Sequence, residues 1–209
     1  RDIYHPANGL FFIYGDIPTA EHLRFLAPAL NGFERREAHV ATPRQPRWTA
    51  PRRIEKDYPV GAGEDASARA FLTLNWIVDD ALDPARAWDW SVLSGLLVGD
   101  EAAPLKKAMV DSKLGADIFF SGASAGAYEA TFHAGLKGSE AGRAEAFESL
   151  VLATLERIAR EPFAPGRVEA AFQQRAYETL EVGRLFPLSL LEAVNQAWPF
   201  NGDPLTFLR

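Results

Sequence analysis

An α+β fold, a largely antiparallel sheet with helices packed on one face, is what this sequence predicts. Three observations carry it. "FLTLNWIV" places Leu72, Leu74, Trp76 and Val78 on one side and Phe71, Thr73, Asn75 and Ile77 on the other, the period-two signature of a half-buried strand. Farther on, Phe147, Leu150, Val151, Thr154, Leu155 and Ile158 recur at helical spacing and form one apolar stripe. The order is strand, strand, two helices, strand, strand, helices, which suits an antiparallel sheet carrying its helices on one side.

Each element follows from its residues. Residues 10–14, "LFFIY", read as a buried strand that turns at Gly15-Asp16. A helix follows with Pro18 and Glu21 in its first turn and Leu23, Leu26 and Leu30 at helical spacing; Pro28 should kink or shorten it. Residues 34–53 hold prolines at 43, 46 and 51 among a cluster of arginines, so they form an extended linker, with Trp48 expected to dock on a neighbouring surface. "RIEKDYPV" reads as an edge strand, because Pro59 could not serve a central ladder. After "FLTLNWIV", Asp83-Pro84 caps a helix that Gly99 ends, and Pro104 starts a shorter one. "ADIFFSGA" and "AYEATFHAGL" are two more strands, joined through Ser124-Ala125-Gly126 as a hairpin. Ser139 is placed to cap the long helix with the apolar stripe. Pro162 and Pro165 interrupt that helix; another runs from about Val168 to Val182 with Ala171, Phe172, Ala176 and Leu180 inward. Pro187 starts the last, and "NGDP" breaks the chain near its end.

Composition bounds the function. The chain has 209 residues, 47% of them hydrophobic, enough for one ordinary domain plus an appendage. No apolar run approaches the roughly 18 residues that span a membrane, so no membrane partner is expected. The first residues, "RDIYHPANG", lack an initiator Met and read as an excised or processed piece. Without Cys there are no disulfides and no thiolate metal sites. A net charge of −6 argues against nucleic acid as a partner and against reading the arginine-rich linker as a nucleic-acid arm. Abundant Ala and Arg with a single Met suggest a GC-rich bacterial source, and a cytoplasmic location is expected.

The candidate chemistry is thin. "PTAEH", Pro18 to His22, would be H-x-x-E-H, an inverted zinc motif, had it His in first place. That motif works because two histidines four apart share a helix face and grip one metal. Proline offers no lone pair, so the stretch reads as a helix start. "GASAG", Gly122 to Gly126, matches G-x-S-x-G and nominates Ser124 as a nucleophile. That motif acts at a strand-to-helix turn, whereas Tyr128, Ala130, Phe132, Ala134 and Leu136 after it alternate as a strand. His133 is the only later histidine, and the sole later aspartate, Asp203, follows it. Ser124 therefore reads as part of a small-residue turn. His5, His22, His39 and His133 lie in four different elements, so no local metal pair exists, and His133 should sit on a strand with its ring hydrogen-bonded. Asp79-Asp80 could hold a cation but reads better as a solvated strand end. These residues assign no catalytic, cofactor or metal site.

Four segments together carry a resemblance: "HPANGLFFIYGDIPTAEHLRFL", "RIEKDYPVG", "LSGLLVGDEAAPLKKAMVDSKLGAD" and "TFHAGLKG". With "RLFPLSLLEAV" and "GDPLTFLR" they resemble the pitrilysin/insulinase-type zinc metallopeptidases, especially the presequence protease branch, over nearly the whole chain. Members of that family resemble a clamshell of four related domains closing around a peptide, with zinc in the first. The resemblance implies that residues 1–33 are the closing strand and helix of the upstream catalytic domain and that 34–53 are a linker. Residues 54–209 would then be the non-catalytic second domain, lacking its C-terminal elements. Domain duplication lays the zinc motif on "SVLSGLL", with Ser91, Ser94 and Gly95 at the first His, the Glu and the second His; none is a usual zinc ligand. The implied cofactor is zinc in the parent enzyme and none in these residues. The implied partners are the remaining domains of the parent chain and, in the full enzyme, a peptide substrate. Self-association is also expected.

The function this implies is a non-catalytic domain of a zinc-dependent metalloendopeptidase that degrades peptides, helping to form the wall of the peptide-enclosing chamber. The alternative is an inactive family member acting as a scaffold or partner-binding module. A hydrolase using Ser124 is a distant third.

Overall fold

The computed structural model describes residues 4–37, 43–63 and 65–200. It divides into two units, one joining the chain up to Pro46 with the residues from Val182 onward, the other spanning Arg47–Glu181.

The second unit holds the sheet. β1 (Ala70–Asp80) is followed by α2 (Pro84–Val98), α3 (Pro104–Asp111), β2 (Asp117–Ile118), β3 (Gly122–Gly126), β4 (Glu129–Ser139), α4 (Ala144–Arg160) and α5 (Pro165–Leu180), with α1 (Thr19–Leu30) belonging to the other unit. β4 is central. β1 pairs along one of its sides and β2 and β3 along the other, all antiparallel. The α+β architecture expected from the residues is the one observed. The alternation in β1 has its predicted consequence, because Leu72 is buried and Leu74, Trp76 and Val78 pack on the same core as Phe132, Ala134 and Leu136 of β4. Leu97 of α2, Leu105 and Met109 of α3, and Phe147 and Val151 of α4 close that core from the helical side. Burying such side chains stabilises the unit by roughly 1.5–3 kcal/mol each.

Local signals set the ends of α2 where they were expected. The Asp83 carboxylate accepts from the amides of Ala85 and Arg86 at 3.0 and 3.2 Å, satisfying two of the otherwise unpaired donors of α2. Gly99 closes that helix with its N–H on the Gly95 carbonyl, in right-handed rather than left-handed backbone (φ −72°). Prolines at the starts of α2, α3 and α5 exploit helix positions that need no amide donor.

Other expectations fail, each for a physical reason. "RIEKDYPV" forms no strand and stays exposed. Pro59 withholds a donor, and the Tyr58 hydroxyl donates instead to the Arg69 carbonyl just before β1. "ADIFFSGA" breaks into β2 and β3 because Phe120 (φ 24°) and Gly122 (φ 121°) leave extended geometry. The hairpin turn lies at Ala127-Tyr128, not at 124–126; Ala127 takes the left-handed conformation (φ 54°) and "GASAG" is itself β3. Ser139 ends β4 rather than capping a helix. Its hydroxyl donates to the Leu114 carbonyl, and α4 starts five residues later, after a 3-10 turn at Ala141–Arg143. On α5 the expected inward face is only partly covered: Ala171 and Ala176 are half-buried, whereas Phe172, with its ring 4.3 Å from that of Trp88 between centroids, is exposed and Leu180 is 77% exposed.

The first unit contains α1 (Thr19–Leu30), α6 (Phe186–Ala197), and short 3-10 turns at Pro6–Asn8 and Trp198–Phe200. Pro18 precedes α1 as its cap residue, and the helix continues through Pro28 to Leu30. Residues 10–14 form no ladder, and Phe11, Ile13 and Tyr14 are exposed. The predicted buried strand is absent there, since no described strand lies beside those residues to pair with. "NGDP" lies outside the described residues.

Candidate functional site

The register on α2 where a zinc motif would fall can be tested against the packing. Ser91 and Gly95 lie one turn apart on one helix face. An added Cβ at Gly95 would meet nothing within 4 Å, so the space for a side chain exists and the side chain does not. The Ser94 hydroxyl is already engaged, accepting the Ala123 amide of β3 at 2.9 Å. Across from it Gly122 takes φ 121°, and a Cβ there would stand 2.6 Å from that hydroxyl oxygen. Zinc prefers thiolate, imidazole or carboxylate donors. These residues do not fit the metal; they tie a helix to the edge of a strand.

Ser124 fares no better as a nucleophile. It lies in the middle of β3 opposite Thr131, with no sharp turn to present its hydroxyl. Its carbonyl accepts from the Thr131 hydroxyl at 3.2 Å. His133 is occupied on both ring nitrogens, by Asn75 Oδ1 at 2.7 Å and Thr131 Oγ1 at 2.8 Å. It therefore has no free nitrogen with which to take a proton from Ser124. That ring is hydrogen-bonded on a strand, as its sequence context implied, and its burial pushes its pKa below the ordinary histidine value.

The remaining candidates also resolve into structural roles. His5 precedes the first 3-10 turn, where Nδ1 accepts from the Ala7 amide at 3.1 Å and the ring meets Phe33 edge-on. His22 is half-buried on α1, in another unit from His133, and His39 lies outside the described residues. Asp79 accepts from the Asp80 amide, Trp90 Nε1 and Arg86, three donors that together hold its carboxyl below the usual range. It fastens the end of β1 to α2. Among the described residues no three His, Asp or Glu side chains group closely enough to hold a metal. Trp48 stays half exposed and borders an open hollow with Asn75, Trp76 and Ile77 of β1, with Arg52 stacked 5.0 Å from its ring centre. Beside it Arg47 reaches Glu129 of β4 at 2.9 Å.

Comparison with known proteins identifies this arrangement. The peptidase M16 inactive domain matches residues 1–175. The chain belongs to the peptidase M16 family. Its relatives include the mitochondrial presequence protease of Mus musculus, 31% identical over 99% of this chain, and that of Xenopus laevis, 29% identical over 99%. Protein HypA of Clostridium perfringens is 27% identical over the whole chain. This M16 chain spans about a fifth of the length of those relatives: 20% of the two presequence proteases and 22% of the clostridial protein. A solved structure from Bordetella parapertussis, described as an inactive peptidase domain, is 19% identical with a TM-score of 0.49, covering 70% of this chain and 78% of that one.

The arrangement that sequence reasoning missed joins residues far apart in the chain. Ser94 was legible as a departure from the zinc motif, but not as the acceptor for an amide 29 positions later. The only local trace of the contact was glycine at 122, which the close approach requires.

Proposed function

We propose that this M16 chain is the non-catalytic domain of a zinc-dependent metalloendopeptidase that degrades peptides, and that it helps form the wall of the peptide-enclosing chamber. One observation carries the reading. On the helix where the family's zinc motif would lie, Ser91 and Gly95 supply no ligand and the Ser94 hydroxyl is committed to Ala123. That helix serves packing. The zinc and the peptide-cleaving groups then belong to the parent enzyme's other domains, which are this domain's partners, with the peptide as the shared ligand. Within the chain, residues 1–33 are proposed as the end of the catalytic domain, 34–53 as the linker and 54–209 as the inactive domain. A bacterial cytoplasm is the proposed setting, favoured by composition. No helix among the described residues is long and apolar enough to cross a membrane. The second reading, an inactive family member serving as a scaffold, draws on the same residues of α2.

Metal analysis and a peptide assay test the proposal. The purified chain should retain no stoichiometric zinc after dialysis and cleave no unstructured fluorogenic peptide. The full-length protein should hold zinc and cleave the peptide, with cleavage lost on chelation. One tightly held zinc in the isolated chain with chelator-sensitive cleavage would overturn the assignment; an inert, zinc-free full-length protein would favour the scaffold.

A further inference from the structure

The sheet face turned away from the helices carries a line of polar side chains on two strands that ends on a backbone carbonyl of a third. Asn75 Nδ2 donates to Thr73 Oγ1 at 3.2 Å on β1. Asn75 Oδ1 meets His133 Nδ1 at 2.7 Å on β4, and His133 Nε2 meets Thr131 Oγ1 at 2.8 Å. Thr131 donates to the Ser124 carbonyl of β3 at 3.2 Å, and the Phe120 ring lies 4.6 Å from the imidazole.

Hydrogen counting gives the states in which every bond of this line is made. The Thr131 hydroxyl has one proton, and when it goes to Ser124 the hydroxyl can only accept from His133, so Nε2 carries a hydrogen. With Asn75 presenting its oxygen, Nδ1 must carry one as well. That arrangement is complete only for the imidazolium. A neutral ring protonated at Nε2 leaves Nδ1 as an acceptor, which the Asn75 amide satisfies by turning over and donating. Thr73 then donates to the amide oxygen, and all four bonds run one way from Thr73 to Ser124.

We propose that Thr73, Asn75, His133 and Thr131 form a proton-sensitive latch across β1, β4 and β3, in which gain of a proton by the imidazole turns the Asn75 amide over. The half of the line on β1 reverses; the half from His133 through Thr131 to Ser124 does not. Among the described residues burial is the influence that shifts the ring, and Arg47, which borders the same hollow as Asn75, is paired with Glu129. Thr73 and Ile77 flank Asn75 on β1, Gly122 and Ser124 face β4 from β3, and Phe120 covers the side. The charges on the same face of β4 are Glu129, paired with Arg47, and Lys137, paired with Asp117, each four residues away; Asp80 stands opposite Glu129. Burial favours the neutral ring, so the latch turns on the acid side of the ordinary histidine range.

A side-chain NMR titration of the whole chain tests this. The His133 ring should titrate below the ordinary histidine midpoint of about 6.5. Its neutral form should be the Nε2-protonated tautomer, and the Asn75 side-chain amide signals should move with the same midpoint. Asn75→Asp should raise the His133 midpoint by about one unit or more, a tenfold gain in proton affinity, because a fixed carboxylate favours the imidazolium. Thr131→Val should lower it by removing the acceptor for Nε2–H. Retention of β1–β4 amide dispersion shows that each variant is folded, and the wild-type titration alone decides if one is not. An Nδ1-protonated neutral ring, or Asn75 amide signals that stay still while His133 titrates, would overturn the latch.

Discussion

The Ser94 hydroxyl works as a backbone acceptor, joining α2 to β3 through the Ala123 amide. Removing it in Ser94→Ala leaves the Ala123 amide without that partner at a half-buried position, so a loss of about 1 kcal/mol is expected in urea unfolding. Gly122→Ala should cost more, because φ 121° strains any side chain and the new Cβ meets the Ser94 oxygen at 2.6 Å. The double variant should be less unstable than the two losses summed, since removing the hydroxyl relieves the clash but not the strain. Strictly additive losses would mean that the contact is not what requires glycine. His133 has a sign that can be worked out. Its pKa is lowered in the fold, so between that value and the unfolded value of about 6.5 the unfolded chain binds more protons. Its contribution is complete above that window and lost as pH falls through it. The sequence showed that the ring would be hydrogen-bonded but not by what, because Asn75 stands 58 positions earlier.

Elements were legible where their cause was local. β1 and β4 announced themselves by alternation, α2 by Asp83-Pro84 and α3 by Pro104, whereas α5 starts at Pro165, three residues before the expected Val168. Elements were misread where pairing decides. "LFFIY" has every local property of a buried strand, yet a strand needs a neighbour's carbonyls and amides, and sequence apolarity does not supply them. Ser139 failed in the opposite direction: a good capping residue was drawn to the distant Leu114 carbonyl. The candidate site divides in the same way, since the strand through His133 was legible in the letters and the contact of Ser94 with Ala123 was not. The irregular, exposed stretch 43–53 gives a prediction at this scale. Limited trypsin should cut within it before reaching Arg157 or Arg160, whose peptide bonds sit in or at the end of α4. First cleavage inside α4, read by mass spectrometry, would show that the stretch is held more firmly than its exposure implies.

The whole molecule leaves large apolar side chains in water within each unit. Phe25 is 82% exposed on α1 in one, and Tyr177 and Leu180 are exposed on α5 in the other. Patches of this kind mark surfaces that normally meet another surface. The isolated chain is therefore expected to self-associate, with apparent mass rising with concentration in light scattering. Deleting residues 1–33 should lower that rise by removing the α1 patch. A mass that stays monomeric at every concentration, with or without those residues, would mean the exposed side chains are tolerated as they stand.

The central place of β4 has a consequence in time. Every ladder of the sheet runs to β4, and β1, its longest partner, is the strand made first. During synthesis β1 must wait until the chain has passed residue 139 before its full register can close, and α2, α3, β2 and β3 all emerge in the interval. At about 5–20 residues per second that wait lasts several seconds. The helices can form early, but the apolar side of β1 has nothing to lie on until then. Pairings this far apart in sequence also carry the loop-closure cost that slows folding. The arrival of β4, rather than any helix, therefore sets when this domain becomes a domain.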